Sequence, residues 1–271
     1  MVSWNVIRVA GFVSLLLVSA VRTGFAVEIV AHRGASVDAP ENTLTSMRLA
    51  WKQAADAVEF DLWLSKDGKV IVFHDSDTKR FEKTPRKILG LTQAEALAID
   101  VGSWKGSEFK GEPIPTLESI LGTIPKGHRA VIELKCGPEI VPELDRVLRA
   151  SGRLPEELAI ISFKRDTLAA SKKAMPGLQH YFLHDYSKDT TTGAYPDLKD
   201  LIALAKAHGF DGLDLQHEWP IDAEFVRTVR SAGLKLLVWT VDDPDVARRL
   251  TKAGVDGITT NKPGWLRGQL D

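Results

Sequence analysis

The stretch AGVDGITT, Ala253 to Thr260, decides the fold because it carries the end of a helix directly into a buried strand. Its order is a small residue, one further residue, an aspartate, a second small residue and then apolar residues. The same order recurs in AADAVEF at residues 54–60 and in HGFDGLDL at residues 208–215. Gly209 and Gly254 stand where a helix C-cap favours a positive φ. The recurrence predicts repeated units in which a helix leads into the next strand.

Short apolar runs alternate with amphipathic helical stretches through the rest of the chain. The strand candidates are VEIVAH, AVEFDLWL, RAVIELK, LAIIS, LQHYFLH, FDGLDLQ, LKLLVWT and VDGITT. Alternation of this kind indicates parallel strands joined by crossover helices. Eight strands predict an α/β protein with a (β/α)8 TIM barrel fold, which typically has roughly 250 residues. A doubly wound open sheet is the alternative, but no glycine-rich nucleotide loop follows the first strand.

One segment interrupts this alternation after the second strand. The sequence LSKDGKVIVFHD, residues 64–75, contains a Lys-Asp-Gly turn between two alternating runs, which predicts a β-hairpin. Residues from about 75 to 115 then match neither a single strand nor a single helix. We expect them to form a small insertion on the rim of a barrel domain that spans residues 27–271. Insertions in strand-to-helix loops of such barrels lie on the catalytic face.

The overall composition is that of an ordinary globular protein. Hydrophobic residues make up 44% and charged residues 26% of the chain, and the formal net charge is -1. The sequence has no basic stripe interleaved with aromatic residues, so we expect no nucleic-acid partner. The single cysteine, Cys136, has no partner for an internal disulfide, and we expect it to be a small buried residue rather than a nucleophile.

The N-terminus departs from this average composition. The apolar run VAGFVSLLLVSAV, residues 9–21, follows Arg8 and is succeeded by small residues up to Ala26. This order predicts a signal peptide over residues 1–26, with cleavage after Ala20 or Ala26, and a secreted or periplasmic mature protein. The run of 13 residues is shorter than the roughly 20 that a membrane span needs, so no stable span is expected. A membrane-anchoring or buried helix is the alternative.

Two carboxylates interrupt a strand that should be apolar. In AVEFDLWL, residues 57–64, Glu59 and Asp61 share one face because side chains alternate along a strand. Strands of such a barrel are covered on both faces, and two uncompensated charges there would be costly. Structural salt bridges are one explanation. A hard divalent cation held by oxygen ligands is the other.

The third barrel strand repeats the anomaly in the sequence VIELK. Glu133 and Lys135 lie on one face of an otherwise apolar strand. If the two strands are adjacent, Glu133 completes a three-carboxylate site with Glu59 and Asp61, and Lys135 stands beside it. An all-oxygen site of this kind favours Mg²⁺ or Ca²⁺ as the cofactor. A cation next to it suits an anionic substrate.

Two histidines are expected at the same rim. His32 ends the first strand and is followed by Arg33, and His74 ends the second strand of the hairpin. Histidine titrates near neutral pH and suits general acid and base catalysis. Arginine presents a planar fork that matches a phosphate group. The set therefore predicts a catalytic site at the carboxyl ends of the strands.

The motifs that carry these residues resemble those of the glycerophosphodiester phosphodiesterases. In chain order the matching motifs are HRG, PENT, EFD, KDGKVIVFHD, GEPIPTLE, IELK, VWTVDD and GVDGITTNKP. They run from about residue 31 to residue 263, nearly the whole of the chain after the apolar N-terminus. The resemblance implies a (β/α)8 barrel with a small insertion after the second strand, in agreement with the fold expected from the strands.

The resemblance also implies roles for individual residues. His32 and His74 would be the catalytic pair, with Glu59, Asp61 and Glu133 as metal ligands. Arg33 and Lys135 would contact the substrate phosphate. Beside this set, we expect Trp239 to form a pocket wall for substrate, Glu41 to be mainly structural and Asn261 to cap the last helix.

The expected function is metal-dependent hydrolysis of a small-molecule glycerophosphodiester to glycerol 3-phosphate and an alcohol. A phospholipase D-type activity on lysolipids is the alternative within the same superfamily. A secreted protein that binds phosphodiesters without turnover would be expected to lack one of the histidines or carboxylates, and all five are present. A glycosidase also uses paired carboxylates, but two histidines and a lysine beside them fit phosphate chemistry better.

Overall fold

The computed structural model describes residues 27–270 and contains a closed barrel of eight parallel strands. Strand β1 pairs with both β2 and β9, which closes the sheet. The barrel strands are β1 Glu28–Ala31, β2 Ala57–Leu64, β4 Arg129–Leu134, β5 Leu158–Ser162, β6 Gln179–His184, β7 Gly212–Gln216, β8 Lys235–Trp239 and β9 Gly257–Thr260. A short strand, β3 Val70–Val72, pairs antiparallel with the end of β2. The expected (β/α)8 barrel is confirmed.

Helices connect the strands on the outside of the barrel. They are α1 Leu44–Lys52, α2 Gln93–Leu97, α3 Leu117–Leu121, α4 Val141–Ala150, α5 Arg165–Ala174, α6 Leu198–His208, α7 Ala223–Ser231, α8 Pro244–Ala253 and α9 Pro263–Leu270. The main core lies between this helical layer and the sheet. Gly209 and Gly254 end α6 and α8 with φ angles of 68° and 93°, as their positions in the repeat predict.

The interior of the barrel is closed at its amino-terminal end by packed side chains. The cluster consists of Val30, Ala57, Val131, Ala159, Ile161, Tyr181, Leu183 and Leu237, with Trp239 packed against it. Tyr181 is the bulkiest fully buried member of this cluster. On the neighbouring strand, a Cβ at Gly212 would lie 2.5 Å from the Tyr181 ring, so the tyrosine needs a glycine beside it. Ile161, Leu183 and Trp239 of this layer face a cavity at the carboxyl ends of the strands.

The segment between β3 and α3 builds a small structure of its own on the rim. Its apolar cluster is separate from the main core and comprises Ile71, Phe73, Ile88, Leu91, Ala96, Ile99, Val101 and Ile114. The carboxylate of Glu112 accepts hydrogen bonds from the backbone N–H and the hydroxyl of Thr45 at the start of α1. The segment is therefore fastened to the barrel at both the hairpin and the first helix.

The N-terminal segment predicted to be a signal peptide, residues 1–26, lies outside the described residues. Among residues 27–270, no helix is both long and apolar enough to cross a membrane. Cys136 is buried as expected, and burial raises the pKa of its thiol to about 11. A thiol of this kind is a weak nucleophile at neutral pH.

Candidate active site

A cavity of about 160 Å³ opens at the carboxyl ends of the barrel strands. Its lining includes seven of the eight residues predicted from the sequence to form the site, namely His32, Arg33, Glu59, His74, Glu133, Lys135 and Trp239. The eighth, Asp61, is fully buried and contacts the cations of this set. The structure thus brings together every residue that the sequence pointed to.

Three carboxylates lie side by side in this cavity. Glu59, Asp61 and Glu133 each offer one oxygen, and these oxygens all lie within 4.8 Å of one another. The geometry follows from strand register, because Asp61 on β2 is the direct neighbour of Glu133 on β4. All three residues are buried. Their oxygen atoms could hold a hard divalent cation such as Mg²⁺ or Ca²⁺.

Burial and mutual repulsion distort the titration of these carboxylates. Burial, together with the charges of Asp61 and Glu133, raises the pKa of Glu59 well above its usual value. Burial and the charge of Asp61 likewise raise the pKa of Glu133 to about 8. Burial also opposes ionisation of Asp61, but Arg33 and Lys135 lower the pKa of this carboxyl to about 2. Burial and crowding therefore disfavour ionisation of Glu59 and Glu133, and a bound cation would favour the ionised form of all three groups.

Two cationic side chains flank the carboxylates. Nζ of Lys135 lies 2.9 Å from Oε1 of Glu133 and 3.6 Å from Oδ1 of Asp61. Nε of Arg33 lies 3.3 Å from Oδ2 of Asp61, and the Arg33 backbone N–H donates to Glu59 at 2.9 Å. Arg33 adopts a φ of 55°, an unusual backbone conformation for a non-glycine residue. In this conformation both the backbone N–H and the guanidinium group of Arg33 contact carboxylates of the cluster.

His32 is held through its Nδ1 atom. Nδ1 lies 2.7 Å from Oδ1 of Asn261, whose side-chain amide donates in turn to Asp242 at 2.6 Å. Nε2 lies 4.0 Å from Oε2 of Glu59. Burial, and then the nearby Arg33 charge, lower the pKa of His32 to about 4. The expectation that Asn261 caps the last helix is wrong, because its side chain joins β9 to His32 instead.

His74 lines the same cavity and has a different partner. Its Nδ1 lies 2.8 Å from Oδ1 of Asp75, and its backbone carbonyl accepts a hydrogen bond from the Trp63 indole at 3.2 Å. Burial lowers the pKa of His74. Asp75 is itself bound by Arg80, which comes from the rim segment. The Asp75 carboxylate that contacts His74 is therefore also held by Arg80.

Glu41 supports the site without being one of the three clustered carboxylates. Its Oε1 accepts from Arg33 at 3.2 Å and also binds Arg80. Burial opposes ionisation of Glu41, but these two arginines lower its pKa. Glu41 precedes the Thr43 N-cap of α1 and is not in the first turn of the helix, and it instead bridges the two arginines and holds Arg33 in place.

Asn42 is a site residue that the sequence analysis missed. Its side-chain amide donates to Oδ2 of Asp61 at 2.8 Å, and its side-chain oxygen accepts from the Asp61 backbone N–H at 3.2 Å. The residue is buried and has a φ of 59°. Asparagine tolerates this left-handed backbone conformation better than most residues. The signal in the sequence was an asparagine directly before Thr43, the N-cap of α1.

The far wall of the cavity is largely aromatic and aliphatic. Trp239 ends β8, and its indole N–H donates to the backbone carbonyl of Asp214 at 3.1 Å. Phe163, in the loop after β5, meets the Trp239 ring edge-on at a centroid distance of 5.5 Å and is 44% exposed. Asp214 also lines the cavity. The two sides of the cavity therefore differ, with charged groups on β1, β2 and β4 and mainly apolar groups on β5 to β8.

Comparison with protein-family models finds a match to the glycerophosphoryl diester phosphodiesterase family over residues 32–265. A glycerophosphodiester phosphodiesterase of Caldanaerobacter subterraneus subsp. tengcongensis is 32% identical over 242 residues, 88% of this chain and 95% of that protein. One from Bacillus subtilis is 32% identical over 251 residues, 86% of this chain and 83% of that protein.

Solved structures show the same similarity. An Oleispira antarctica phosphodiesterase in complex with the product sn-glycerol-3-phosphate superimposes with a TM-score of 0.79 and 30% identity, over 90% of this chain and 96% of that one. A glycerophosphodiester phosphodiesterase from Thermotoga maritima gives a TM-score of 0.70 and 27% identity, over 90% and 98% of the two chains.

Proposed function

The chain belongs to the glycerophosphoryl diester phosphodiesterase family, and on that premise we propose how its site hydrolyses glycerophosphodiesters to glycerol 3-phosphate and an alcohol. It is a phosphoric diester hydrolase by this membership. The single observation that carries the proposal is the grouping of a buried three-carboxylate cluster, two histidines and two cations around one cavity. The substrate is a small molecule that fits this cavity.

A divalent metal is the cofactor that this donor set fits. Glu59, Asp61 and Glu133 would hold it, because all three are buried, offer hard oxygen ligands and lie within reach of one ion. Mg²⁺ and Ca²⁺ are the candidate ions. When bound, the metal neutralises negative charge on the phosphate. Asn42 fixes the Asp61 carboxylate through two hydrogen bonds, so that this ligand is oriented before the metal arrives.

Arg33 and Lys135 are proposed to bind the phosphate oxygens. Both cations are partly buried beside the carboxylates and line the cavity, where a phosphate is screened from water. Arg33 is held by Glu41 and Asp61, so its guanidinium loses little freedom when it meets the ligand. The pair would hold the phosphate in the cavity that both histidines line.

The contacts of the two histidines support different roles. Asn261 occupies Nδ1 of His32 with a side-chain oxygen, which leaves Nε2 as an unprotonated acceptor toward the cavity. His32 is therefore the proposed general base, and it takes a proton from the attacking water or glycerol hydroxyl. His74 is paired with the Asp75 carboxylate, which favours the protonated imidazole and so offsets part of the effect of burial on its pKa. His74 is the proposed general acid, and it protonates the departing alkoxide.

The test of this proposal is hydrolysis of glycerophosphocholine by the purified protein, with release of glycerol 3-phosphate as the readout. We expect turnover with added Mg²⁺ or Ca²⁺ and loss of turnover after treatment with EDTA. A parallel reaction with lysophosphatidylcholine, followed by release of choline, addresses the lysolipid alternative. Turnover of lysophosphatidylcholine without turnover of glycerophosphocholine would replace the proposed substrate class.

We also propose that the mature protein is residues 27–271, exported to a secreted or periplasmic location after removal of residues 1–26. The support is the order of Arg8, the apolar run and the small residues that end at Ala26. N-terminal sequencing of the protein from its native host should begin at Val21 or Val27. A protein that begins at Met1 would instead favour a retained N-terminal anchor.

A further inference from the structure

Asp214 is a buried acidic residue in the cavity that the proposed mechanism does not use. It lies on β7 and is 1% exposed. Among residues 27–270, its Oδ1 atom has no hydrogen-bond partner. Buried polar atoms are nearly always paired, and leaving one unpaired costs free energy. An unpaired carboxyl that also lines a cavity is thus a candidate ligand-binding group.

Within the described part of the chain, the strands beside Asp214 offer its side chain no polar partner. The strand neighbours in register with it are Leu183 on β6 and Leu237 on β8, both apolar and buried. Burial, followed by the like charge of Glu133, raises the pKa of Asp214 well above its usual value. Burial thus favours the protonated form of this carboxyl, which offers both a donor and an acceptor. Such a group suits a neutral hydroxyl better than a cation.

The position of Asp214 relative to the phosphate groups suggests which part of the substrate it meets. Arg33 and Lys135 stand on the side of β1 and β4, whereas Asp214 is on the apolar side of the cavity with Leu183 and Trp239. The cavity of about 160 Å³ must hold the phosphate as well, so the part of the substrate that meets Asp214 is a small group such as glycerol. Apolar walls would pack against the C–H groups of a small polyol, and one buried polar group would bind an O–H.

We propose that Asp214 determines specificity by hydrogen-bonding a hydroxyl group of the glycerol moiety of the substrate. The inference rests on the proposed hydrolysis of glycerophosphodiesters and adds to it the residue that distinguishes a glycerol ester from other phosphodiesters. A site that holds a buried polar group for a substrate hydroxyl discriminates strongly against an analogue without it, because the buried group is then left unpaired.

The test compares two inhibitors that differ only in their hydroxyl groups. The inhibition constants of sn-glycerol 3-phosphate and n-propyl phosphate are measured against hydrolysis of bis(4-nitrophenyl) phosphate, which has no glycerol. In the unaltered protein, glycerol 3-phosphate should inhibit at least about tenfold more strongly. In Asp214→Leu this preference should fall by about tenfold. Asp214→Asn keeps a donor and an acceptor and should retain part of the preference.

Leu183→Met is the matched control on the neighbouring strand. It alters the same wall without removing a polar atom, so it should change both inhibition constants by the same factor. Equal inhibition by the two compounds in the unaltered protein would overturn the proposal without any variant, even if Asp214→Leu did not fold. An unchanged preference in folded Asp214→Leu would also overturn it. Failure of glycerophosphocholine hydrolysis, with nitrophenyl ester hydrolysis intact, would instead contradict the proposed function.

Discussion

The Nδ1 atom of His32 lies 2.7 Å from the side-chain oxygen of Asn261, and this contact determines which histidine nitrogen faces the substrate. The oxygen of Asn261 is identified by its amide, which donates to Asp242. An oxygen can only accept, so Nδ1 of His32 carries the proton. Nε2 is then left with a free lone pair. Asp242 also binds the hydroxyl of Thr260, which anchors this chain of contacts to the last strand.

Removal of that contact should slow the chemical step more than it weakens binding. We expect Asn261→Ala to lower kcat by about 10–100-fold with little change in KM, as is usual when the partner of a catalytic histidine is lost. Ser36→Ala is the control, because the Ser36 hydroxyl donates to the same Asn261 oxygen without touching His32. A loss confined to KM in Asn261→Ala would contradict a positioning role.

The two histidines should be separable by the leaving group of the substrate. His32→Ala and His74→Ala should each lower the rate on glycerophosphocholine by about 10²–10⁴-fold, because each histidine is proposed to transfer one proton. A nitrophenolate departs without protonation, so His74→Ala should recover on bis(4-nitrophenyl) phosphate and His32→Ala should not. Recovery of His32→Ala alone would reverse the roles. Equal losses for both variants on both substrates would indicate shared metal or phosphate binding instead.

Metal binding should depend on Glu59 specifically. Glu59→Gln keeps the shape of the side chain and removes its charge, so we expect the fold to be kept and the affinity for Mg²⁺ or Ca²⁺ to fall by at least about tenfold. Isothermal titration of the metal into EDTA-treated protein measures this affinity. Asp145→Asn, on the outer helix α4, is the matched control and should bind metal as the unaltered protein does. Full hydrolytic activity of the metal-free protein would refute the metal requirement.

The buried His180, which lies outside the active site, should make the free energy of unfolding depend on pH. It is fully buried, with Nδ1 3.0 Å from the Leu178 carbonyl and Nε2 2.9 Å from the Ser171 hydroxyl. Both contacts are satisfied by neutral imidazole with its proton on Nδ1. Burial lowers the pKa of His180 to about 4, whereas an unfolded histidine has a pKa of about 6.5.

The free energy of unfolding should fall as the pH falls, because the unfolded state binds the proton first. Between pH 6.5 and pH 4 the unfolded chain takes up a proton on His180 and the folded protein does not, so the free energy of unfolding should decrease by about 3 kcal/mol. Urea unfolding at a series of pH values measures the slope. His180→Gln should flatten it, whereas His208→Gln changes an exposed histidine and should leave it unaltered. An equally steep slope in His180→Gln would show that other groups cause the acid sensitivity.

The sequence was sufficient for the barrel because its signals are local. The aspartate-containing repeat, the helix-ending glycines and the apolar runs each concern a few consecutive residues, and a closed parallel barrel is the arrangement that satisfies all of them. The charged residues of β2 and β4 could also be located, since alternation along a strand places Glu59 and Asp61 on one face. Register then brings Glu133 beside Asp61.

The residues that support the site were harder to predict. Asn42 reaches Asp61 only because the loop before α1 adopts a left-handed turn, which is not apparent from local patterns. Asn261 meets His32 across 229 positions of sequence, through closure of the barrel. Asp214 did carry a readable signal, because GLDL places a carboxylate inside a buried strand as AVEFDLWL does. The sequence pattern alone does not show that this carboxylate lines the cavity.

The position of Arg80 has a consequence for how this enzyme could be re-engineered or could diverge. Rim loops are the natural part to exchange when a barrel enzyme is to accept a different alcohol group. Here, however, one arginine of the rim segment holds both Asp75, next to His74, and Glu41, next to Arg33. A transplanted loop would have to bring an equivalent of Arg80 with it. Arg80, Asp75 and Glu41 should therefore change together during divergence. A substitution of one of them should be tolerated only with compensating changes in the other two.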